Sequence, residues 1–145
     1  MSIYNSQLCF QNLVESSSSK YSSFVQNPEY KPITLKGLLY HTAKVNIIFV
    51  YSNRSDKITN QQKSSIDWIK HNWNNICGKV NNQLEKFAKT DNPIKLRYRF
   101  RNPSLYIFDN GDLGIMFFDH DKSGNGTIVL LKPSIKIVDS KTYLN

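Results

Sequence analysis

The sequence predicts an α+β fold in which an antiparallel β meander packs against one long α-helix. Two patterns carry that expectation. Between Thr59 and Ala88 apolar residues recur at three- and four-residue steps. After Asn92-Pro93 the pattern changes to short runs rich in β-branched and aromatic residues, separated by turn signals. At 145 residues the chain has the length of a single domain, 1–145, with the α+β core expected over 32–139.

The first thirty residues, 1–30, show little regular pattern. Leu8, Phe10, Leu13 and Val14 fit a strand or a short helix, and the run from Ser16 to Ser19 marks a loop. From Pro32 onward, Ile33, Leu35 and Leu38-Leu39-Tyr40 suggest a strand broken near Gly37. Lys44 to Tyr51 reads as a second, well-buried strand. Thr59-Asn-Gln-Gln62 is a capping box: the Thr hydroxyl accepts from the third helical amide and the Gln side chain returns a bond to the Thr amide. The helix it opens carries Ile66, Ile69, Trp73, Ile76, Val80, Leu84 and Phe87 on one stripe and runs to about Ala88. Gly78 weakens it by roughly 1 kcal/mol relative to alanine, which a buried stripe outweighs. Lys63, Lys70, Lys79 and Lys86 fall outside the stripe, Trp68 lies at its edge, and Cys77 reads as a small buried apolar residue.

Beyond Pro93, Lys95-Leu-Arg-Tyr-Arg-Phe-Arg101 alternates strictly and reads as a strand ended by Pro103, with Leu96, Tyr98 and Phe100 on one face. Leu105 to Phe108 leads into Asn110-Gly111, a signal for a two-residue hairpin turn. Leu113 to Phe118 returns, Thr127 to Leu131 goes back, and Ile135 to Val138 adds one more strand.

Composition narrows the function. A hydrophobic fraction of 39% and a charged fraction of 21% are those of a soluble globular protein. The net charge of +8 and a pI near 9.5 favour an anionic partner, whether nucleic acid, an acidic membrane surface or an acidic protein. No uncharged apolar run approaches the roughly 20 residues of a membrane helix. The N-terminus MSIYNSQLCF lacks a secretory signal pattern. Cys9 and Cys77 are too few for a disulfide framework or a zinc knuckle, so a reduced, cytoplasmic protein is expected.

The stretch Asp119 to Gly126, DHDKSGNG, begins like a calcium loop, with carboxylates at positions one and three and glycine at six. Position twelve is Leu130, which has no side-chain oxygen, and the flanks read as strands, so a hairpin turn is expected. His120 would point away from both neighbouring Asp residues if extended, while Asp67 and His71 sit four apart and could pair on the helix. No nucleophile elbow, P-loop, Cys-x-x-Cys or His-Glu-x-x-His is present. A non-enzymatic protein is expected, without catalytic residues, cofactor or metal.

The basic strand is the candidate binding element. Lys95, Arg97, Arg99 and Arg101 would share one face with a repeat of about 6.7 Å, twice the strand rise. Such a line suits phosphates, with Tyr98 or Tyr106 for stacking, or carboxylates on an acidic protein, or plain solvation.

The order of elements resembles a bacterial domain of unknown function found near polymorphic toxin genes. The matching pieces are Val45–Val50, Ile58-Thr-Asn-Gln-Gln62, the helix through Phe87, Leu105–Phe108, Asp112-Leu-Gly-Ile-Met-Phe117, and the glycine-containing turn before Thr127–Leu131. They span roughly residues 32 to 139. Where that family carries a Trp-Asp-Glu-Glu-His-Gly-like turn, this chain has His120-Asp-Lys-Ser-Gly124, so the family's Glu and His are not carried over. The resemblance implies a small cytoplasmic binding protein, of the kind represented by immunity proteins of contact-dependent inhibition. The expected partner is a cognate toxin domain, neutralised by direct occlusion, with Lys95, Arg97, Arg99 and Arg101 at the interface. Nucleic acid held along the same basic strand is the alternative, and no membrane partner is expected.

Overall fold

The computed structural model describes residues 20–53, 57–122 and 126–145. The expectations for Leu8, Phe10, Leu13 and Val14, and for the serine run, lie outside these residues. Among the described residues seven strands form one sheet. They are β1 (Ser23–Val25), β2 (Ile33–Leu38), β3 (His41–Tyr51), β4 (Phe100–Phe108), β5 (Leu113–Asp119), β6 (Gly126–Lys132) and β7 (Lys136–Asp139). Their order is β1-β3-β4-β5-β6-β7, and β2 also pairs with β3. The helices among the described residues are α1 (Asn60–Ala88), α2 (Pro93–Arg99) and α3 (Ser140–Leu144).

The α+β class is as the sequence predicts: a mostly antiparallel sheet with a long helix against it. One pairing departs from a meander. β3 and β4 run parallel, with Ile47 opposite Leu105 and Phe49 opposite Ile107. Parallel neighbours need a crossover, and α1 occupies it. Both strands are buried on both faces, which fits their nearly unbroken apolar runs. Ile47, Phe49, Leu105 and Ile107 join the α1 stripe of Ile66, Ile69, Trp73, Ile76, Val80 and Leu84 in one core. Ile48, Val50, Tyr106 and Phe108 point the other way, into a second cluster with Met116, Ile128 and Leu130.

The capping box forms. Thr59 Oγ1 accepts from the Gln62 amide at 3.1 Å, and Gln62 Oε1 accepts from the Thr59 amide at 2.9 Å. The same residues hold the sheet. The Thr59 hydroxyl donates to the Asp109 carbonyl at 3.1 Å, Gln62 Nε2 to the Ile107 carbonyl at 3.1 Å, and the Ser65 hydroxyl to the Gly111 carbonyl at 2.5 Å. Further along α1, Trp73 Nε1 donates to the Lys36 carbonyl at 2.9 Å and Asn81 Nδ2 to the Gly37 carbonyl at 2.9 Å. Asn81 Oδ1 accepts from the Leu39 amide at 2.8 Å.

These polar contacts fix position more than they supply affinity. Six buried stripe residues at about 1.5–3 kcal/mol each outweigh six hydrogen bonds netting about 0.5–1.5 kcal/mol each. The bonds decide which backbone atoms the helix sits against.

They also stabilise an unusual turn. Leu39 and Tyr40 join β2 to β3 with φ of 50° and 66°, the left-handed region where Asn-Gly is the usual occupant. Asn81 holds the Leu39 amide, and the Tyr40 hydroxyl bonds the Glu85 carboxylate. Leu39 and Tyr40, expected to extend the strand, are therefore the turn itself.

Other expectations are corrected. Lys95 to Arg101 is not a strand: residues through Arg99 are helix α2, and β4 starts at Phe100. The Asn92 side chain accepts from the Ile94 and Lys95 amides at 3.0 and 3.1 Å, and Pro93 begins the helix with φ already set. Pro103 does not end the strand either, because β4 passes it through a register shift between Arg101 and Ser104. At Asn110-Gly111 the turn has three residues. Gly111 N donates to the Phe108 carbonyl, Phe108 N to the Asp112 carbonyl, and Gly111 has φ of 94°. That is a type I turn closed by a glycine bulge. His71 Nδ1 lies 2.7 Å from the Asp67 carbonyl on the backbone, not against the carboxylate.

Asn81→Ala removes the partners of the buried Leu39 amide and the Gly37 carbonyl. The variant is expected to lose about 1–3 kcal/mol in urea unfolding, with an unchanged m-value.

The tyrosines set an alkaline limit. Burial raises the Tyr106 pKa well above its ordinary 10.0. Tyr143 is raised by burial first and then by the neighbouring Tyr21 and Asp112. Folded values above unfolded ones mean that this stability is complete below pH 10 or so and is lost as pH rises towards the folded values. Denaturation followed between pH 8 and pH 12 is expected to show stability falling above about pH 10, less steeply in Tyr106→Phe.

Candidate interaction surface

Helix α2 separates the four cations that the alternating pattern placed on one face. Arg97 turns towards the β2–β3 turn, where its Nη1 donates to the Leu39 carbonyl at 2.8 Å. The neighbouring His41 has a lowered pKa, through burial first and then the Arg97 charge. Arg99 turns to the far end of β5. Its Nε and Nη2 donate to Asp119 Oδ1 and Oδ2 at 2.9 and 3.2 Å, and its guanidinium lies 5.0 Å from the Phe87 ring and 5.1 Å from Phe100. Arg101, now on β4, donates from Nε to the Tyr98 carbonyl at 2.6 Å and stacks 4.4 Å from the Tyr98 ring. Lys95 is exposed on α2. All three arginines are half-buried and hydrogen-bonded within the structure, and Lys95 is exposed.

Asp119 organises this corner. It is 0% exposed, and both its oxygens are engaged. Oδ1 also accepts from the Asp121 amide at 3.0 Å, and Oδ2 from the Thr127 hydroxyl at 2.8 Å. One carboxylate therefore joins the α2–β4 junction, the end of β5 and the start of β6. The first residue of DHDKSGNG is an internal joint. A cation on its oxygens would meet the Arg99 guanidinium. The ends of the stretch form a hairpin, with Phe118 opposite Gly126; Ser123, Gly124 and Asn125 lie outside the described residues. Gly126 has no room for a side chain, since a Cβ there would fall 2.8 Å from the Phe117 carbonyl and closer still to Met116.

On the solvent side of this joint lies an exposed apolar and aromatic group. Ile94 and Tyr98, four apart on α2, are 73% and 59% exposed, while Leu96 between them is buried. The His120 amide donates to the Arg99 carbonyl at 2.8 Å, which places its ring 4.7 Å from Tyr98, edge on. Phe118 is directly opposite Arg101 across β4 and β5 and is 47% exposed, whereas Phe117 faces the core. Asn102, next to Arg101 in the register shift, has φ of 52°. A bulge of this kind re-aims the side chains beside it.

Sequence reasoning put Arg101 and Tyr98 in the candidate binding element but missed Ile94 and Phe118 and gave His120 no binding role. The available signal was alternation along Phe117-Phe118-Asp119-His120, which sends every second residue outward.

Two shallow clefts flank α1. One, of about 390 Å³, is lined by Ile33, Lys36, Ile69 and Trp73 among others; another, of about 340 Å³, lies at the helix start by Asn60, Ser64 and Lys132. Their linings carry lysines, hydroxyls and amides but no carboxylate, thiol or imidazole.

No protein-family model matches the chain. No curated protein matches its sequence, and no solved structure matches its fold.

Asp119→Ala leaves Arg99 and Thr127 without their shared acceptor. Chemical denaturation is expected to show a loss of about 3–5 kcal/mol, the cost of breaking a buried ion pair from one side.

Proposed function

We propose that this chain is an immunity-type binding protein that neutralises a cognate toxin domain by occluding it. The observation that carries the binding half is the exposed group of Ile94, Tyr98, Phe118 and His120 beside the half-buried Arg101, seated on a buried ionic joint. Tyrosine, phenylalanine and arginine are enriched in protein-binding surfaces, where a few such side chains dominate the energy. The immunity half rests on the resemblance in element order: the strand, the capped Ile-Thr-x-x-Gln helix opening, the long helix and the hairpins occur in the expected sequence. Nucleic-acid binding along a basic strand is the weaker reading, since residues through Arg99 are helical and Arg97 and Arg99 bond to Leu39 and Asp119.

The test uses the protein encoded beside this gene as the candidate toxin. Co-expression is expected to rescue growth, and calorimetry to give a saturable complex. Tyr98→Ala and Arg101→Glu are each expected to weaken it by about 2 kcal/mol or more, roughly 30-fold, whereas Lys70→Glu on the outer face of α1 is not. Full rescue and full affinity in both corner variants would remove the corner from the interface.

A further inference from the structure

We infer that the occupant of the α2–β5 corner is an acidic protein segment carrying a carboxylate two residues from an apolar side chain. The inference rests on the protein-binding reading above and specifies the chemistry of the partner.

Arg101 supplies the polar contact. Its Nε is committed to the Tyr98 carbonyl and its guanidinium carbon lies 4.4 Å over the Tyr98 ring, so the side chain is held before any partner arrives. Among the described residues its terminal nitrogens have no carboxylate partner. The acidic residues of the same corner, Asp119 and Asp121, are both taken by Arg99, at 2.9 and 3.5 Å. A pre-oriented guanidinium fork with its local acids already used matches an incoming carboxylate bidentately.

Phe118 supplies the apolar contact. It sits across the strand pair from Arg101, about 5 Å away at the backbone. Adjacent side chains of an extended segment point to opposite faces, so an acid and an apolar side chain that meet this face together are next-but-one residues. Nucleic acid fits less well. Arg101 lies 4.4 Å over the Tyr98 ring and the His120 ring is 4.7 Å away, which leaves less of the ring for a base. The net charge of +8 adds long-range attraction for an acidic partner.

The test is an amide-resolved NMR titration of the full chain with three probes. They are a blocked Asp-Ala-Leu peptide, its Asn-Ala-Leu counterpart and a ten-residue oligothymidylate. The expected result is shifts centred on Tyr98, Arg101, Phe118 and His120, with the Asp peptide bound about tenfold more tightly than the Asn peptide. Arg101→Gln is expected to erase that ratio, and Phe118→Ala to weaken both peptides alike; well-dispersed spectra establish that each variant is folded. Three results overturn the inference: equal binding of the two peptides, shifts spread over the exposed lysines of α1, or tighter binding of the oligonucleotide at this corner. The proposed function fails separately. Toxin rescue without a carboxylate preference removes the inference alone, and peptide binding at the corner without toxin rescue removes the immunity reading alone.

Discussion

The parallel pairing of β3 with β4 is the constraint on which the rest of the architecture depends. Two neighbouring strands that run the same way cannot be joined by a hairpin, so the chain must leave the sheet, travel back along it and re-enter. Helix α1, 29 residues and so about 44 Å long, makes that journey. β3, with 11 residues, extends only about 36 Å. The helix overshoots the strand it must return beside. A second, shorter helix, α2, turns the chain into β4, and its outer side becomes solvent-facing surface. The exposed corner is thus a geometric consequence of the crossover.

A long crossover helix could slide or rotate on an apolar sheet, because hydrophobic contact has no direction. Here directional bonds at both ends prevent it. Thr59, Gln62 and Ser65 hold carbonyls around the β4–β5 turn, and Trp73 and Asn81 hold the β2–β3 turn. No buried side-chain polar atom is left without a partner among the described residues. Asp119 does the same for the corner, joining three elements through one carboxylate. An aromatic surface on such a base gives up little freedom when it binds, so more of its contact energy appears as affinity.

Legibility in the sequence followed the range of the interaction. The capping box and the α1 stripe were readable because every cue lies within a few residues. Lys95 to Arg101 was misread because seven residues fit a period of two as well as a short helix. The deciding cue, Asn92-Pro93 as cap and first helical residue, lay just outside the alternating run. The Arg97 bond to Leu39 spans 58 positions and the Asn81 bond to Leu39 spans 42, so neither leaves a local trace. For the same reason a leucine and a tyrosine can fill a turn that favours Asn-Gly: distant partners stabilise it. The parallel pair did leave a cue, since β3 and β4 are apolar on consecutive residues rather than alternating. Pairing direction is nonetheless a property of two segments together, and neither shows it alone.

The cations divide by range of action as well as by position. Lys63, Lys70, Lys79 and Lys86 are exposed along the outside of α1 and contribute to a field felt over about 8 Å in physiological salt. Charges of this kind chiefly raise the rate of encounter. Arg101, held by its hydrogen bond and the Tyr98 ring, adds a contact as well as a charge, and contacts of that kind chiefly lengthen the life of a complex. In the proposed binding role, the net charge of +8 brings an acidic partner close without choosing its orientation. Orientation falls to the corner, where one fixed guanidinium stands beside exposed apolar side chains. Salt should therefore slow association strongly and alter dissociation little, because the two steps draw on different residues.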